Sequence, residues 1–353
     1  ELAVPAAGPA APGSGRWPWR AAAAAATLGA SWFGFWALRR RWLRRLVRPR
    51  IEALFVYPIK GCRGHAVPSA ELTAWGLRDD RLYMLVSAKG NFISQRTLPR
   101  MSLVHPDLPK PDGIMLRAVR PEGASPSGRL PAPLWVPRVD EAKAAPRQVT
   151  VWDDTVLGVD QGDAAANWFQ AFLGKEGVRL VRVARHARRA TDPKYGVGET
   201  AFADGFPVLV TTQASLDDLN NRLRGCAPRR CEHFRPNIHI SGCGAWEEDE
   251  MRAVSFVSDT GPTAARLPLV KPCSRCSITT VDPATGERDG GGETLRVLQD
   301  FRAGGRLRRS ARLHKAYYSA AKRAKEAYFG QNALVELSGS AVLSVGDCGK
   351  AEW

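Results

Sequence analysis

The sequence predicts a β-rich α+β fold with two domains, preceded by an N-terminal membrane-anchor helix. Three observations support this prediction: a length of 353 residues, short apolar runs broken by turn-forming residues from Ile51 onward, and an uncharged stretch at residues 21–38. Domains usually contain about 100–200 residues, so a chain of this length is expected to hold two. Short β-branched and aromatic runs between Gly, Pro and Asp/Asn clusters are typical of the strands of barrels and sandwiches.

The N-terminal part of the chain divides into a leader (residues 1–20), a membrane anchor (residues 21–38) and a basic linker (residues 39–50). The anchor carries no charge and ends in an aromatic cluster. Its length suits a helix that spans a bilayer, which needs about 17–25 apolar residues. Two arginines precede the anchor and seven follow it, so the positive-inside rule places the C-terminal body in the cytosol. The alternatives are a cleaved transit peptide, favoured by the lack of acidic residues between residues 2 and 51, and a signal peptide.

The first domain is predicted over residues 51–175 and is expected to consist mainly of short strands. Apolar runs predict these strands at Leu54–Ile59, Leu82–Ser87, Phe92–Gln95 and Gln148–Leu157. The proline- and alanine-rich stretch from Pro106 to Pro146 is interpreted as a long surface excursion. Asp163 is expected to cap a helix that runs to Leu173, because four large apolar side chains of this stretch share one face.

The second domain is predicted over residues 176–353, with its β-rich region starting near Val178. Strands are expected at Pro207–Thr212 and Ile238–Ser241, with a helix from Ser215 to Arg224 between them. The chain has no internal repeat, no Walker loop, no dinucleotide fingerprint and no His-Glu-x-x-His motif. These absences argue against a nucleotide-dependent enzyme and a zinc protease of the common types.

The formal charge of +16 is unevenly distributed along the chain. Residues 1–50 carry nine arginines and one acid, which is half of the excess. The remaining body is only moderately basic, so nucleic acid is not an expected partner. Within the body, the stretch from Arg302 to Lys325 is dense in cations and has no acidic residue. It is interpreted either as a solvated helical face or as a docking surface for an acidic protein.

Seven cysteines at irregular spacing argue against a disulfide framework and for free thiols in a reducing compartment. Cys273 and Cys276 flank Ser274 and Arg275, just before an apolar β-branched run. They are either buried small apolar residues or reactive groups, since a neighbouring arginine favours the thiolate that acts as nucleophile or soft-metal ligand. A four-thiol zinc site that adds Cys226 and Cys231 is a further alternative.

Five separated segments occur in the order and spacing of a known family. They are Val56–Cys62, Gly76–Arg81, Phe234–Ile238, Cys276–Pro283 together with Thr285–Gly286, and Phe329–Asn332. This arrangement resembles the MOSC-domain proteins, and among them the mitochondrial amidoxime reducing component family, over about Ile51 to Gly346. The resemblance implies a MOSC N-terminal β-barrel-like domain followed by a MOSC β-barrel domain, which together bind a pyranopterin molybdenum cofactor (Mo-molybdopterin).

The resemblance also implies which residues form the site. Cys276 is the expected molybdenum ligand and Arg275 the neighbouring catalytic residue. The expected cofactor-binding residues are Lys60, Gly61, Arg81, Gly205, Phe206, Pro207, Arg235, Ser274, Arg275 and Asn332. Lysine and arginine suit the terminal phosphate of the cofactor. Three positions depart from the family: Gly61, Gly205 and Phe206 stand where relatives carry hydroxyl residues. Asn332 is alternatively a turn residue, and the Cys226–Cys231 loop is interpreted as an insertion.

The activity implied by the resemblance is reduction of N-hydroxylated compounds such as amidoximes, N-hydroxyguanidines and hydroxylamines, with nitrite reduction to nitric oxide as a further activity. Electrons are expected from NADH through cytochrome b5 reductase and cytochrome b5. The expected location is the mitochondrial outer membrane with the catalytic body facing the cytosol, or another membrane or organelle if the leader is cleaved. Two rival functions are a sulfur-carrier or cofactor-sulfurating role of Cys276 and a non-enzymatic membrane-tethered binding protein.

Overall fold

A computed structural model describes residues 47–125, 129–258, 261–307 and 325–353, and the predicted leader and anchor helix lie outside these ranges. Numbered in chain order, the strands are β1 (Arg50–Val56), β2 (Ile59–Lys60), β3 (His65–Val67), β4 (Ser69–Thr73), β5 (Gly76–Leu77), β6 (Tyr83–Val86), β7 (Val104–Pro106), β8 (Gly113–Ala118), β9 (Leu134–Pro137), β10 (Pro146–Val151), β11 (Asp154–Asp160), β12 (Arg179–Val183), β13 (Val208–Thr212), β14 (Ile238–Ser241), β15 (Ala253–Ser258), β16 (Gly261–Arg275), β17 (Ala327–Ala333), β18 (Glu336–Leu337), β19 (Ala341–Ser344) and β20 (Cys348–Glu352). The helices are α1 (Asp163–Leu173), α2 (Gln213–Arg222), α3 (Glu293–Arg302) and α4 (Gly304–Leu307). Within the described ranges, none of the helices has the length and hydropathy needed to cross a bilayer.

Seven of the described strands close into a barrel, which confirms the predicted β-rich fold. Around the ring they follow the order β1, β14, β13, β17, β16, β15 and β20, and the ring closes because β1 pairs with both β14 and β20. Neighbours are antiparallel except β13 and β14, which run parallel. Closure removes the unpaired edges that an open sheet would expose. The first strand of the body is therefore part of a barrel built mostly from the C-terminal half.

The described part of the fold contains three smaller sheets besides the barrel. One has the order β10, β11, β12, β6 and β2, another β19, β4 and β5, and the third β7, β8 and β9. Helix α1 contributes Phe169 to a buried cluster that includes Leu180 of β12 and Val136 of β9. Each such side chain stabilises the fold by about 1.5–3 kcal/mol. The predicted domain boundary after residue 175 stays a prediction. Strand β12 follows this position and pairs with β11 and β6, which precede it.

The proline-rich stretch from Pro106 to Pro146 was wrongly interpreted as a surface excursion. It contains β8 and β9, which pair with each other, while β8 also pairs with β7. Ile114 and Leu116 are fully buried in the same cluster as Phe169. Two apolar residues at a spacing of two mark one face of a strand, and this signal outweighs the surrounding prolines.

Four other predicted elements differ in the structure. The predicted strand Leu54–Ile59 is divided, since β1 ends at Val56 and β2 begins at Ile59. Gln148–Leu157 is a hairpin rather than one strand, because the chain turns at Trp152 and Asp153 between β10 and β11. Phe92–Gln95 is not a strand, although Phe92 forms a bridge with Val86. The helix beginning at Asp163 is confirmed, but the capping position is Gly162, and Asp163 instead pairs with Arg179.

A buried acidic pair lies where helix α2 begins. Glu248 is fully buried and its carboxylate accepts hydrogen bonds from Ser215 Oγ at 2.8 and 2.9 Å and from Thr212 Oγ1 at 3.2 Å. Burial, with the neighbouring charge of Asp249, raises the pKa of Glu248 to about 7. A glutamate carboxyl of the unfolded chain has a pKa of about 4.3. The folded state therefore holds this proton more tightly than the unfolded state.

This difference predicts a pH dependence of stability. Because the folded pKa is the higher one, the contribution of Glu248 is fully present below about pH 4.3 and is lost as pH rises through about 7. Glu248→Gln is expected to flatten the decline between pH 5 and pH 8, measured as the free energy of unfolding in urea. The exposed Glu176, replaced by Gln, is the control and should keep the parental slope. Equal slopes for the parent and Glu248→Gln would contradict the assignment.

Candidate functional site

Cys276 lies at a sharp change of chain direction. Strand β16 ends at Arg275, Cys276 follows it, and Ser277–Thr280 then form a single 3₁₀ turn. The carbonyl oxygen of Cys276 accepts hydrogen bonds from the Thr279 backbone N–H at 3.2 Å and from its hydroxyl at 3.0 Å. The β-branched run after the cysteine therefore forms a turn instead of continuing the strand, and this turn fixes the position of the thiol.

Ten of the eleven predicted site residues line one cleft. They are Lys60, Gly61, Arg81, Gly205, Phe206, Arg235, Ser274, Arg275, Cys276 and Asn332. Pro207 lies outside the lining, where its carbonyl oxygen packs against the backbone of Gly76, so closely that a side chain at Gly76 would clash. Asn332 belongs to strand β17 and is not a turn residue. The barrel and the smaller sheets thus bring distant segments together, and the roles of these residues in binding stay predictions.

Lys60 forms an ion pair with Asp204, a residue that sequence reasoning did not identify. The Lys60 side chain is only 8% exposed, whereas that of Asp204 remains 72% exposed to the space of the cleft. Burial lowers the pKa of the Lys60 ammonium, although Asp204 opposes this effect. Desolvation acts to raise the pKa of the Asp204 carboxyl, but Lys60 outweighs it and holds that pKa well below its usual range. Asp204 is therefore a permanent anion in the cleft.

Two arginines of the site hold strained backbone conformations around one tyrosine. Arg81 and Arg235 have positive φ angles of 50° and 55°, which non-glycine residues rarely adopt. Their guanidinium carbons lie 4.6 and 4.3 Å from the ring centroid of Tyr57. Arg81 also pairs with the buried Asp80 at 2.5 Å, and its Nη2 donates to the carbonyl oxygen of Arg235 at 3.1 Å. This network fixes two cations beside the cleft.

Unpartnered donor nitrogens show what the cleft can bind. Arg235 donates to the Cys62 carbonyl at 2.7 Å, and Arg275 donates to the carbonyls of Phe329 and Phe234 at 3.0 Å each. In each arginine, however, the buried Nη2 has no hydrogen-bond partner among the described residues. Buried donors in folded proteins are almost always paired. Both arginines line the cleft, and oxygen acceptors of a bound anion would suit these nitrogens, so the cleft fits a phosphate-bearing cofactor.

The two neighbouring thiols differ in their surroundings. Burial raises the pKa of Cys273, against the opposing charge of Arg275, so this thiol stays protonated. No three His, Cys, Asp or Glu side chains of the described ranges come close enough together to hold a metal ion, and the four-thiol zinc alternative is therefore wrong. A metal bound at Cys276 would need its other ligands from a cofactor, as the resemblance implies.

Several lining residues were missed because they come from segments without a recognisable motif. The most important are Phe92, Arg96, Trp152 and Asp204. Asn237 also lines the cleft; it lies in the family-like segment Phe234–Ile238 but is not among the expected site residues. Its side-chain oxygen accepts hydrogen bonds from Arg81 at 3.2 Å and from the Leu209 backbone N–H at 3.1 Å. The signal available was the Arg-Pro-Asn sequence itself, in which a polar residue directly precedes an apolar strand.

Comparison with known proteins identifies the class to which this fold and site belong. Residues 48–176 match the MOSC N-terminal beta barrel domain and residues 197–348 match the MOSC domain. The chain is 35% identical over 304 residues to mitochondrial amidoxime-reducing component 1 of Mus musculus, covering 82% of this chain and 83% of that protein. It is 32% identical over 298 residues to mitochondrial amidoxime reducing component 2 of Homo sapiens, covering 77% and 80%.

A more distant relative is a molybdenum cofactor sulfurase of Drosophila erecta, 27% identical over 263 residues, which cover 74% of this chain but 31% of that protein. Together with the domain matches, these similarities place the chain among the MOSC-domain proteins. Within that class, the chain belongs to the family of the mitochondrial amidoxime-reducing components.

Proposed function

We propose that this protein is a molybdenum-cofactor-dependent reductase of N-hydroxylated compounds: amidoximes, N-hydroxyguanidines and hydroxylamines, with nitrite reduction to nitric oxide as a further activity. The observation that carries the proposal is the cleft that combines the Cys276 thiol with two buried guanidinium nitrogens that have no hydrogen-bond partner among the described residues. A soft thiolate suits a thiophilic metal, and the free donors suit the anionic end of its cofactor. Membership of the amidoxime-reducing family supports the same assignment.

The residues of the cleft divide the work of holding the cofactor. Cys276 would bind the molybdenum, and Arg275 would lie beside it. Arg235, Arg81 and Lys60 would neutralise the phosphate. Gly61, Gly205, Phe206, Ser274 and Asn332 would contact the pterin. When bound, the cofactor supplies the two-electron redox chemistry.

The proposed reaction is reductive cleavage of an N–O bond. An amidoxime takes up two electrons and two protons, the N–O bond breaks, and an amidine and one water are released. The contribution of the protein is to place the N–O group in a cleft whose cations are already fixed by the Tyr57 and Asp80 contacts. Preorganised charge of this kind needs no rearrangement during the reaction.

We propose NADH as the electron source, acting through cytochrome b5 reductase and cytochrome b5. The basic stretch of residues 302–325 supports this proposal, because its two ends are anchored close to the site. Ala303 forms a bridge with Ala327, the Gly304 N–H donates to the Glu326 carbonyl at 3.0 Å, and Ala327 pairs with Arg275. Both ends of the stretch thus lie one strand away from Cys276, while residues 308–324 lie outside the described part of the chain. An acidic electron carrier would dock near the metal.

The proposed location is the mitochondrial outer membrane, with the body facing the cytosol and residues 21–38 as the anchor. The names of the relatives and the arginine excess after residue 38 support it. The alternatives remain another membrane or organelle and a cleaved leader.

The function is tested directly on the purified protein after expression with abundant cofactor. It is expected to contain stoichiometric molybdenum and to reduce benzamidoxime to benzamidine when cytochrome b5 and its NADH-dependent reductase are supplied. Metal content is measured by plasma mass spectrometry and benzamidine by chromatography. Omitting cytochrome b5 is the control and should slow turnover. Protein free of molybdenum under these conditions would overturn the proposal.

The second candidate function is sulfur transfer through a Cys276 persulfide, which the similarity to a molybdenum cofactor sulfurase favours. A persulfide carrier would release thiocyanate from Cys276 on treatment with cyanide and would not turn over benzamidoxime. A non-enzymatic binding protein would do neither. The same preparation therefore separates the three functions.

A further inference from the structure

Four side chains form a cluster on the exposed side of the cleft: Phe92, Arg96, Trp152 and Asp204, here called the rim cluster. The rings of Phe92 and Trp152 lie 5.2 Å apart between centroids. The guanidinium carbon of Arg96 lies 4.3 Å from the Trp152 centroid. Trp152 nevertheless remains 44% exposed. An aromatic surface is thus held in place but left open.

Trp152 holds this position at a cost in backbone strain. It is the first residue of the two-residue turn between β10 and β11 and has a φ of 59°. A hairpin turn with a positive φ at this position prefers glycine. Strained residues of this kind cost of the order of 1–3 kcal/mol and concentrate at binding and catalytic sites. The strain and the exposure together indicate that the indole serves a ligand rather than the fold.

One buried arginine links the turn that carries Trp152 to the backbone at Asp204. Arg189 is 5% exposed. Its Nε donates to Asp154 Oδ2 at 2.8 Å, next to the Trp152 turn, and its Nη2 donates to the Asp204 carbonyl at 2.8 Å. In addition, Trp152 Nε1 donates to Asp204 Oδ1 at 3.1 Å. The indole and the carboxylate therefore form a preorganised pair.

Asp204 places a negative charge in a cleft whose other charged side chains, among the described residues, are positive. The other charged residues of the described lining are cations, including Lys60, Arg96 and Arg235. Both hydrogen bonds that Asp204 accepts through its side chain, from Lys60 and Trp152, end on Oδ1. Oδ2 accepts none from the described residues. A planar N–C–N group with N–H donors is complementary to such a carboxylate oxygen, and a ring attached to that group is complementary to the indole face.

We propose that the rim cluster is the substrate-selecting subsite of the cleft. Asp204 Oδ2 accepts an N–H of the N–C–N group of an N-hydroxylated amidine or guanidine, and Trp152 with Phe92 holds its aromatic substituent. This inference rests on the proposed function and deepens it. It assigns the preference for flat, donor-rich or cationic substrates over carboxylates of the same shape to two named residues in an otherwise cationic cleft.

The experiment compares two ligands of the same shape and opposite charge, benzamidine and benzoate, with the cofactor-loaded protein. Binding is measured by calorimetry, so the readout does not depend on turnover. The parent is expected to bind benzamidine more tightly than benzoate. Trp152→Ala should weaken benzamidine binding about tenfold, as loss of one contact between aromatic rings typically does. Asp204→Asn should abolish the preference for the cation.

Leu157→Ala is the matched control, because Leu157 lies on the same hairpin and is also 44% exposed but is not part of the cleft lining. It should leave both affinities at the parental value. Equal benzamidine affinity in the parent and Trp152→Ala, or benzoate binding preferred by the parent, overturns the inference. If benzamidine binds as expected but benzamidoxime is not reduced, the proposed function fails while the subsite stands. If benzamidoxime is reduced but neither variant changes binding, the proposed function stands and the subsite is overturned.

Discussion

Cys276→Ala is expected to yield a folded protein that contains no molybdenum and does not reduce benzamidoxime. Cys276 directly follows the last residue of β16 and lines the cationic cleft, and a thiolate is a suitable soft ligand for a thiophilic metal. Loss of a residue that merely supports a metal ligand lowers affinity or activity by about 10–100-fold. Loss of the ligand itself is expected to exceed this range. Metal analysis and benzamidoxime turnover, with circular dichroism as a check of folding, measure the effect.

Cys273→Ala is the matched control, since Cys273 lies three residues earlier and lines the same cleft. Its burial raises the pKa of its thiol, so we expect the variant to keep its molybdenum. Full metal content in Cys276→Ala, or loss of metal in Cys273→Ala alone, would show that the ligand has been assigned to the wrong cysteine.

Arg302→Gln is expected to destabilise the fold by about 3–5 kcal/mol, because it leaves a buried carboxylate without its counter-charge. Arg302 and Asp249 are 4% and 5% exposed, and their Nη1 and Oδ2 atoms lie 2.7 Å apart. Gln331 also donates to Asp249, but a neutral amide does not replace the charge. The neighbouring Glu248 adds to the excess of negative charge. Urea unfolding at pH 7 measures the loss.

Arg306→Gln is the control for this prediction. Arg306 is exposed in helix α4, four residues further along the same basic stretch. Surface substitutions of this kind usually change stability by less than about 0.5 kcal/mol. The pair hypothesis also requires that Asp249→Leu restore part of the stability in the Arg302→Met background, because no lone charge then remains. Equal stability of Arg302→Gln and Arg306→Gln would show that the pair is not needed.

The site could be predicted from the sequence wherever the chain carries a local motif. Lys60, Arg81, Arg235 and Cys276 each belong to a segment of several consecutive family residues, and all four line the cleft. Asp204 carries no such signal, since a lone aspartate before glycine looks like a turn residue. Only the fold brings it to Lys60, far earlier in the chain.

Local structure was mispredicted where the expected turn residues are missing or misplaced. The turn at Trp152 lacks the glycine or asparagine that normally marks a hairpin, so β10 and β11 looked like one strand. Between Pro106 and Pro146 the prolines suggested a loop, although Ile114 and Leu116 are buried. In both places, packing against distant strands determined the structure, and no window of sequence contains that information.

The way the barrel closes also sets the order in which it can form. In β1, Arg50 pairs with Ser241 of β14 and with Cys348 of β20. A ribosome adds about 5–20 residues per second, so the first barrel strand emerges roughly 15–60 s before its last partner exists. Until then β1 can pair with its near neighbour β3, whereas its contacts with the distant β14 and β20 form slowly. The barrel can therefore close only when synthesis is almost complete.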